Sequence, residues 1–120
     1  MEQNNYIEQL KIKMDNYVHF VFKISKSFPK EELFNTTSQL KRASLSIVLN
    51  FIEGYARQKI AVKRNFWEIS YGSLKESKYL LNFSFIESFI KEADYKQADE
   101  MADEIGAMLW KALEPISKDV

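Results

Sequence analysis

The side chains that could do chemistry in this 120-residue chain are one histidine and two pairs of carboxylates. His19 has no second histidine to share a metal and no nucleophile near it in sequence to activate. Asp99/Asp103 and Glu100/Glu104 are each spaced by four residues, which places both members of a pair on one face of a helix. Such pairs can chelate a divalent cation, but they are equally common on solvated helix faces. We therefore expect no catalytic residue, no metal site and no cofactor.

Wider features of the sequence also argue against an enzyme. The chain has no cysteine, which excludes disulfides and thiolate chemistry, and it contains no P-loop, GxGxxG or GxSxG motif. The longest uncharged stretch, residues 43–52, is about half of the roughly twenty residues that cross a bilayer. No basic segment followed by an apolar run opens the chain. These features predict a cytoplasmic, non-enzymatic protein without a membrane partner.

Charge is distributed unevenly along a chain whose 17 basic and 17 acidic residues cancel. Residues 41–78 contain eight basic and three acidic residues, a net charge of +5, and residues 79–120 contain four and nine, a net charge of −5. A basic region beside Phe66 and Trp67 is typical of surfaces that bind nucleic acid through phosphates and stacked bases. Alternatively, the positive charge of the second and third helices complements the negative charge of the fourth helix within the same chain. The candidate nucleic-acid contacts are Lys41, Arg42, Arg57, Lys59, Lys63 and Arg64.

The elements that must position these side chains are helices, because apolar residues recur every three or four positions. The periodicity predicts four helices over about residues 5–25, 37–57, 61–87 and 92–114. Thr36 and Gln39 have capping-box spacing at the start of the second helix, and Pro115 is expected to end the fourth. Short connections between four amphipathic helices predict an all-α, single-domain, up-down-up-down four-helix bundle.

The second helix carries two distinct faces. Its apolar arc spans roughly 180°, more than the roughly 100° that the surface helix of a monomer needs, so it predicts either a central bundle helix or a subunit interface. The opposite polar stripe contains Glu53 and Arg57 at the spacing of an exposed ion pair. The alternative is a partly buried network that orients chains or holds an anion. The apolar arc contains Leu33, Leu40, Ala43, Ile47, Val48, Phe51, Ile52 and Tyr55. The candidate polar network contains Ser38, Gln39, Arg42, Asn50, Glu53 and Arg57.

An ordered series of short motifs extends from the first connection into the third helix. It comprises FPKEEL at 28–33, TSQLKRA at 37–43, Ser46-Ile47, Asn50, Glu53-Gly54, Arg57 and Gly72-Ser73-Leu74 followed by Glu76. In these motifs the chain resembles the bacterial four-helix-bundle proteins encoded in intervening sequences of 23S rRNA genes. The resemblance covers about residues 17–114. The family usually has Ile-Ala before Glu-Gly, where this chain has Phe51-Ile52.

The resemblance implies a four-helix bundle without enzymatic activity that forms a closed, ring-like homo-oligomer, with a pentamer as one candidate size. The location of the family's genes implies a role beside ribosomal RNA. A related branch, the accessory proteins of diversity-generating retroelements, binds nucleic acid and a reverse transcriptase. Two hypotheses follow: a homo-oligomer that associates with rRNA or other nucleic acid, and a protein-protein adaptor with an unidentified partner and no direct nucleic-acid role.

Overall fold

The structure is a computed structural model that describes residues 2–119, with side chains for residues 4–116. These residues form four α-helices and no strand, which confirms the predicted all-α class. A short 3-10 helix, Lys30–Glu32, lies between the first two helices. The helices are α1 (Glu2–Ser25), α2 (Thr36–Tyr55), α3 (Ile60–Ile86) and α4 (Glu92–Asp119). Among the described residues, no helix combines the length and the hydropathy needed to cross a membrane.

Side-chain contacts between helices establish the up-down-up-down order. Along α2 and α3, Ser46 meets Ser73, the Ile47 carbonyl meets Ser70 and the Phe51 carbonyl meets Trp67, so the two helices are antiparallel. The ion pair of Lys78 with Asp99 and the ring contact of Tyr71 with Trp110 give the same antiparallel relation for α3 and α4. Helix α4 also contacts α1, which closes the bundle. Helices α2 and α4 make no contact with each other in the described chain, so they lie diagonally opposite.

The core is filled by apolar side chains from all four helices. The fully buried ones include Leu10, Met14, Leu40, Ile47, Leu74, Leu81, Ile105 and Leu109. Truncating one such Leu or Ile to Ala typically costs about 2 to 5 kcal/mol. Burial of these periodic stripes supplies most of the stability, because isolated helices are marginal in water.

Helix α3 also places three serines in the core at seven-residue intervals, Ser70, Ser77 and Ser84. Each hydroxyl donates to a backbone carbonyl, so none of these three buried hydroxyl groups is left unpaired. Ser70 donates across to the Ile47 carbonyl of α2 at 2.6 Å. The Oγ of Ser77 lies 2.8 Å from the hydroxyl of the fully buried Tyr17 of α1. These small side chains allow α3 to pack closely against its neighbours.

Two predicted helix boundaries differ from the structure. Helix α2 begins at Thr36, but no Thr36–Gln39 capping box forms. Instead, the carboxylate of Glu32 accepts hydrogen bonds from the backbone N–H and the hydroxyl of Thr36. Helix α4 continues past Pro115 to Asp119. Proline removes one backbone hydrogen bond and its ring crowds the carbonyl four residues earlier, but it fits helical φ, so a helix can continue past it with a kink instead of ending.

Candidate functional site

The basic cluster predicted from the sequence forms mainly at the turn between α2 and α3. Arg57, Lys59, Lys63 and Arg64 follow one another across this turn, and the exposed Lys59 immediately precedes α3. Arg42 lies near the opposite end of α2, roughly 20 Å away along the helix axis. The structure therefore brings four of the six predicted contacts together, and we call these four the basic turn.

Both arginines of the basic turn already have partners within the chain. Arg57 Nη2 donates to Glu53 Oε2 at 2.7 Å, and its guanidinium lies 5.2 Å from the centre of the Phe66 ring. Arg64 Nε lies 3.1 Å from Glu68 Oε1, although its N–H does not point at the carboxylate. Exposed i,i+4 pairs of this kind are worth only about 0.3 to 0.5 kcal/mol, so an external anion can displace them.

The two lysines of the basic turn carry the free positive charge. No ion pair joins either Lys59 or Lys63 to a carboxylate in the described part of the chain. The Lys63 ammonium lies over the rings of Tyr55 and Trp67, 5.9 Å and 5.6 Å from their centres. This cation–π contact orients the ammonium but leaves its charge uncompensated.

The two rings that the sequence placed beside the basic turn, Phe66 and Trp67, are not free to stack on bases. Trp67 is only 4% exposed, its ring stacks on Phe51 with centres 4.9 Å apart, and its Nε1 donates to the Phe51 carbonyl at 3.0 Å. The half-buried Phe66 ring has the Arg57 guanidinium above it. The half-exposed Tyr55 is the ring that stays open in this region. Because single-strand binding normally relies on several exposed stacking rings, the basic turn is better suited to phosphates than to bases.

The predicted polar network is divided into two separate groups. Asn50 Nδ2 donates to the carbonyl and the hydroxyl of Ser46, both at 2.9 Å, and Ser46 Oγ lies 2.7 Å from Ser73 Oγ of α3. Glu53 and Arg57 form the second group, an exposed pair on the outside of α2. The first group joins two helices, so its role in the monomer is structural. Ser73 was visible in the sequence only as part of the Gly72-Ser73-Leu74 motif.

The remaining predicted polar residues lie toward the start of α2. The Lys41 ammonium is 5.0 Å from the centre of the Phe22 ring of α1. Arg42 points away from the core and is exposed. Within the described part of the chain, Ser38, Gln39 and Arg42 make no side-chain hydrogen bond. These residues therefore do not join Asn50, Glu53 and Arg57.

The outward side of α2 carries an apolar surface that the predicted arc covered only in part, since the arc included Ile52 but not Leu45 or Leu49. Leu45, Leu49 and Ile52 recur at helical spacing and are between 39% and 56% exposed. We call these three residues the outer stripe. From the predicted apolar arc, Leu40 and Ile47 are instead fully buried in the chain's own core. The apolar face of α2 thus has two parts, one that packs in the core and one that faces solvent. The solvent-facing part could have been predicted from Leu45 and Leu49, which were not assigned to the apolar arc.

Three of the four carboxylates that could have held a metal ion are used in ion pairs. Lys78 of α3 pairs with both Asp99 and Asp103 of α4, and the hydrogen bond to Asp103 raises the pKa of Lys78 above its ordinary value. His19 is exposed, with Nε2 3.5 Å from Asp15 Oδ1. Among the described residues, no group of three or more His, Asp or Glu side chains converges on a metal position.

Comparison with known proteins gives one family and one fold. The family model for the 23S rRNA-intervening sequence protein matches residues 8–111. A solved structure of a protein of unknown function from the S23 ribosomal protein family of Bacteroides thetaiotaomicron VPI-5482 superposes with a TM-score of 0.84. The two chains are 21% identical over 91% of this chain and 98% of that one, a likeness that shows the fold. No curated protein matches the chain.

Proposed function

Because the chain belongs to the 23S rRNA-intervening sequence protein family, we propose that it is a non-enzymatic, homo-oligomeric scaffold that binds the phosphate backbone of structured RNA. The observation that carries the binding role is the basic turn, with Lys59 and Lys63 free of acidic partners at one end of the bundle. The family's name associates its members with 23S rRNA, which favours RNA among polyanions.

Self-association is supported by the outer stripe. Leu45, Leu49 and Ile52 expose adjoining apolar surface on one helix, and contiguous exposed apolar surface in a small protein typically marks an interaction surface. A second copy of the chain offers a partner that is always present at equal concentration. Assembly would also compensate for the weak attraction that one chain of zero net charge has for RNA, because the basic turns of several copies attract phosphates together.

The binding role predicts a specific dependence on salt. Affinity for a double-stranded RNA hairpin is expected to fall as salt rises from about 50 to about 200 mM, because phosphate binding releases counterions. Lys59→Glu combined with Lys63→Glu should weaken binding and reduce the logarithmic salt slope by about two. Fluorescence anisotropy titrations at several salt concentrations measure both quantities.

A matched control reverses two lysines at the other end of the bundle, Lys26→Glu and Lys96→Glu. This variant has the same net charge as the test variant, so a general effect of charge would weaken both equally. The proposal requires a clearly larger loss with the basic-turn variant. Equal losses, or binding that is insensitive to salt, would remove RNA binding from the proposed function.

A second candidate, the protein-protein adaptor, is favoured by another apolar surface. Tyr79, Phe83 and Ile86 are exposed on the outside of α3 toward its C-terminal end, away from α2's outer stripe. If a different protein binds this surface, Tyr79→Ala with Ile86→Ala abolishes its co-purification. The Lys59→Glu, Lys63→Glu variant would retain it. The opposite pattern would exclude the adaptor role for this surface.

A further inference from the structure

The most exposed large apolar side chain lies just before α2. Phe34 is 92% exposed, and the neighbouring Leu33 is half exposed. We call Leu33 and Phe34 the knob. Its backbone is fixed by hydrogen bonds from the Leu33 and Asn35 N–H groups to the carbonyls of Lys30 and Glu32. A rigid aromatic anchor loses little conformational freedom when it binds, so the knob is preorganised for an interface.

The same end of the bundle contains a groove with a volume of about 840 Å³. It lies between the end of α1 and the connection from α3 to α4, and we call it the terminal groove. Half-buried Phe20, Phe85 and Phe89 are among its lining residues, as are the buried Ile24 and Ile90. A groove with aromatic walls and an aliphatic floor is suited to an aromatic side chain.

We propose that the knob of one copy docks in the terminal groove of the next copy. This inference rests on the proposed homo-oligomer and adds a second contact, adjacent to the outer stripe, since the knob and Leu45 line one depression. The knob precedes α2 while the groove lies between α1 and α4, so the two surfaces are on different sides of the bundle. Each copy therefore uses both surfaces in a head-to-tail contact. Because both surfaces lie at the same end of the bundle, the contact does not shift one copy along the bundle axis relative to the next. A head-to-tail contact without such a shift favours closure into a ring over growth of a filament.

Charged side chains of opposite sign lie beside the two surfaces. Glu31 is exposed next to the knob, while Lys41 and Arg42 line the depression on its α2 side. The exposed Lys23 and Lys91 line the groove, which also contains one acid and so has a net charge of +1. Glu31 placed against one of these two lysines favours the encounter and its orientation.

The first test removes the knob. Phe34→Ala should raise the dissociation constant of the oligomer about 30-fold, the effect of losing a hot-spot side chain. The stability of the folded monomer should be unchanged, because the exposed Phe34 side chain does not pack in the core. Trp110→Ala, which truncates an exposed aromatic of α4, is the matched control. Light scattering over a dilution series gives both constants, and unchanged assembly of Phe34→Ala would overturn the proposal.

The second test asks whether the knob docks in the terminal groove. Because the sequence contains no cysteine, any disulfide must form between the introduced residues. Asn35→Cys, at an exposed position next to the intact knob, is mixed with Gln97→Cys or Lys91→Cys, which place a thiol on the groove lining, and the mixtures are oxidised. A mixed disulfide dimer is expected, since a disulfide requires Cα atoms within about 7 Å. Dimers of Asn35→Cys with itself, or no mixed dimer with either groove variant, mean that the knob docks elsewhere. A wild-type protein that is monomeric throughout would instead contradict the proposed homo-oligomer.

Discussion

Gly54 leaves room for the indole of Trp67 at the point where α2 and α3 are closest. A Cβ at this position would lie 2.4 Å from Trp67 Cδ1, 2.6 Å from Nε1 and 3.1 Å from the Lys63 carbonyl. Gly54→Ala should therefore displace the indole and weaken its hydrogen bond to the Phe51 carbonyl. We expect a loss of about 1 to 3 kcal/mol in the free energy of unfolding, the usual cost of overpacking, measured by urea denaturation.

Gly72 provides the control for this substitution. No atom lies within 4 Å of a Cβ built at Gly72, which is in the interior of α3. Gly72→Ala should leave the monomer's stability unchanged or raise it by up to about 1 kcal/mol, through helix propensity. If Gly54→Ala were as well tolerated as Gly72→Ala, close packing of Trp67 would not explain the glycine at position 54.

Tyr17 predicts a dependence of stability on pH. Burial raises the pKa of Tyr17 well above its ordinary value of 10.0. Below about pH 10, both the folded and unfolded states keep the proton, and this group contributes no pH dependence. Above about pH 10, the unfolded chain loses the proton while the folded chain retains it, so the free energy of unfolding decreases. The slope from this one group is at most about 1.4 kcal/mol per pH unit.

The measurement compares urea midpoints at pH 9 and pH 11 for the wild type and Tyr17→Phe. The phenylalanine variant lacks the titrating hydroxyl and should lose less stability across this interval. At pH 9 it should be about 1 kcal/mol less stable than the wild type, because it loses the hydrogen bond with Ser77. Equal losses in both proteins at high pH would show that Tyr17 ionises normally in the folded state.

At the scale of elements, Glu32 connects the 3-10 helix to the start of α2. Its Oε1 accepts from the backbone N–H of Thr36 at 3.4 Å and from the Thr36 hydroxyl at 2.5 Å. Glu32→Ala should cost about 1 kcal/mol, similar to the loss of a helix cap. Glu32→Gln retains an acceptor oxygen and should cost less. A Gln39→Ala variant tests the capping box expected from the sequence, and a cost larger than that of Glu32→Ala would contradict the observed arrangement.

The sequence predicted the helices but not the partners of individual side chains. Periodicity depends on local spacing, so the four helices and their order followed from the positions of apolar residues alone. The burial of Trp67 depends on Gly54, which lies thirteen residues earlier on another helix, and no local pattern shows that contact. The cap from Glu32 was missed for the same reason, since the 3-10 helix that positions it was not predicted. Leu45 and Leu49 were overlooked because they lie among the polar residues of α2.

At the scale of the whole molecule, the basic turn and the knob lie at opposite ends of the bundle. The basic turn joins α2 to α3 at one end, while the α1–α2 and α3–α4 connections, which carry the knob and part of the terminal groove, lie at the other. The bundle is about 45 Å long, so a contact between copies at the knob would leave the basic turn uncovered. The outer stripe extends toward the basic turn as far as Ile52, five residues before Arg57.

The proposed burial of the outer stripe of α2 between copies of the chain is tested most directly by light scattering. The wild type should have a molar mass that is a multiple of 14.1 kDa, and Leu49→Glu should reduce it to the monomer's. Ile12→Glu, at a similarly exposed residue of α1, should assemble like the wild type. A wild type that stays at 14.1 kDa at the highest concentration, or a Leu49→Glu variant of unchanged mass, would contradict the claim.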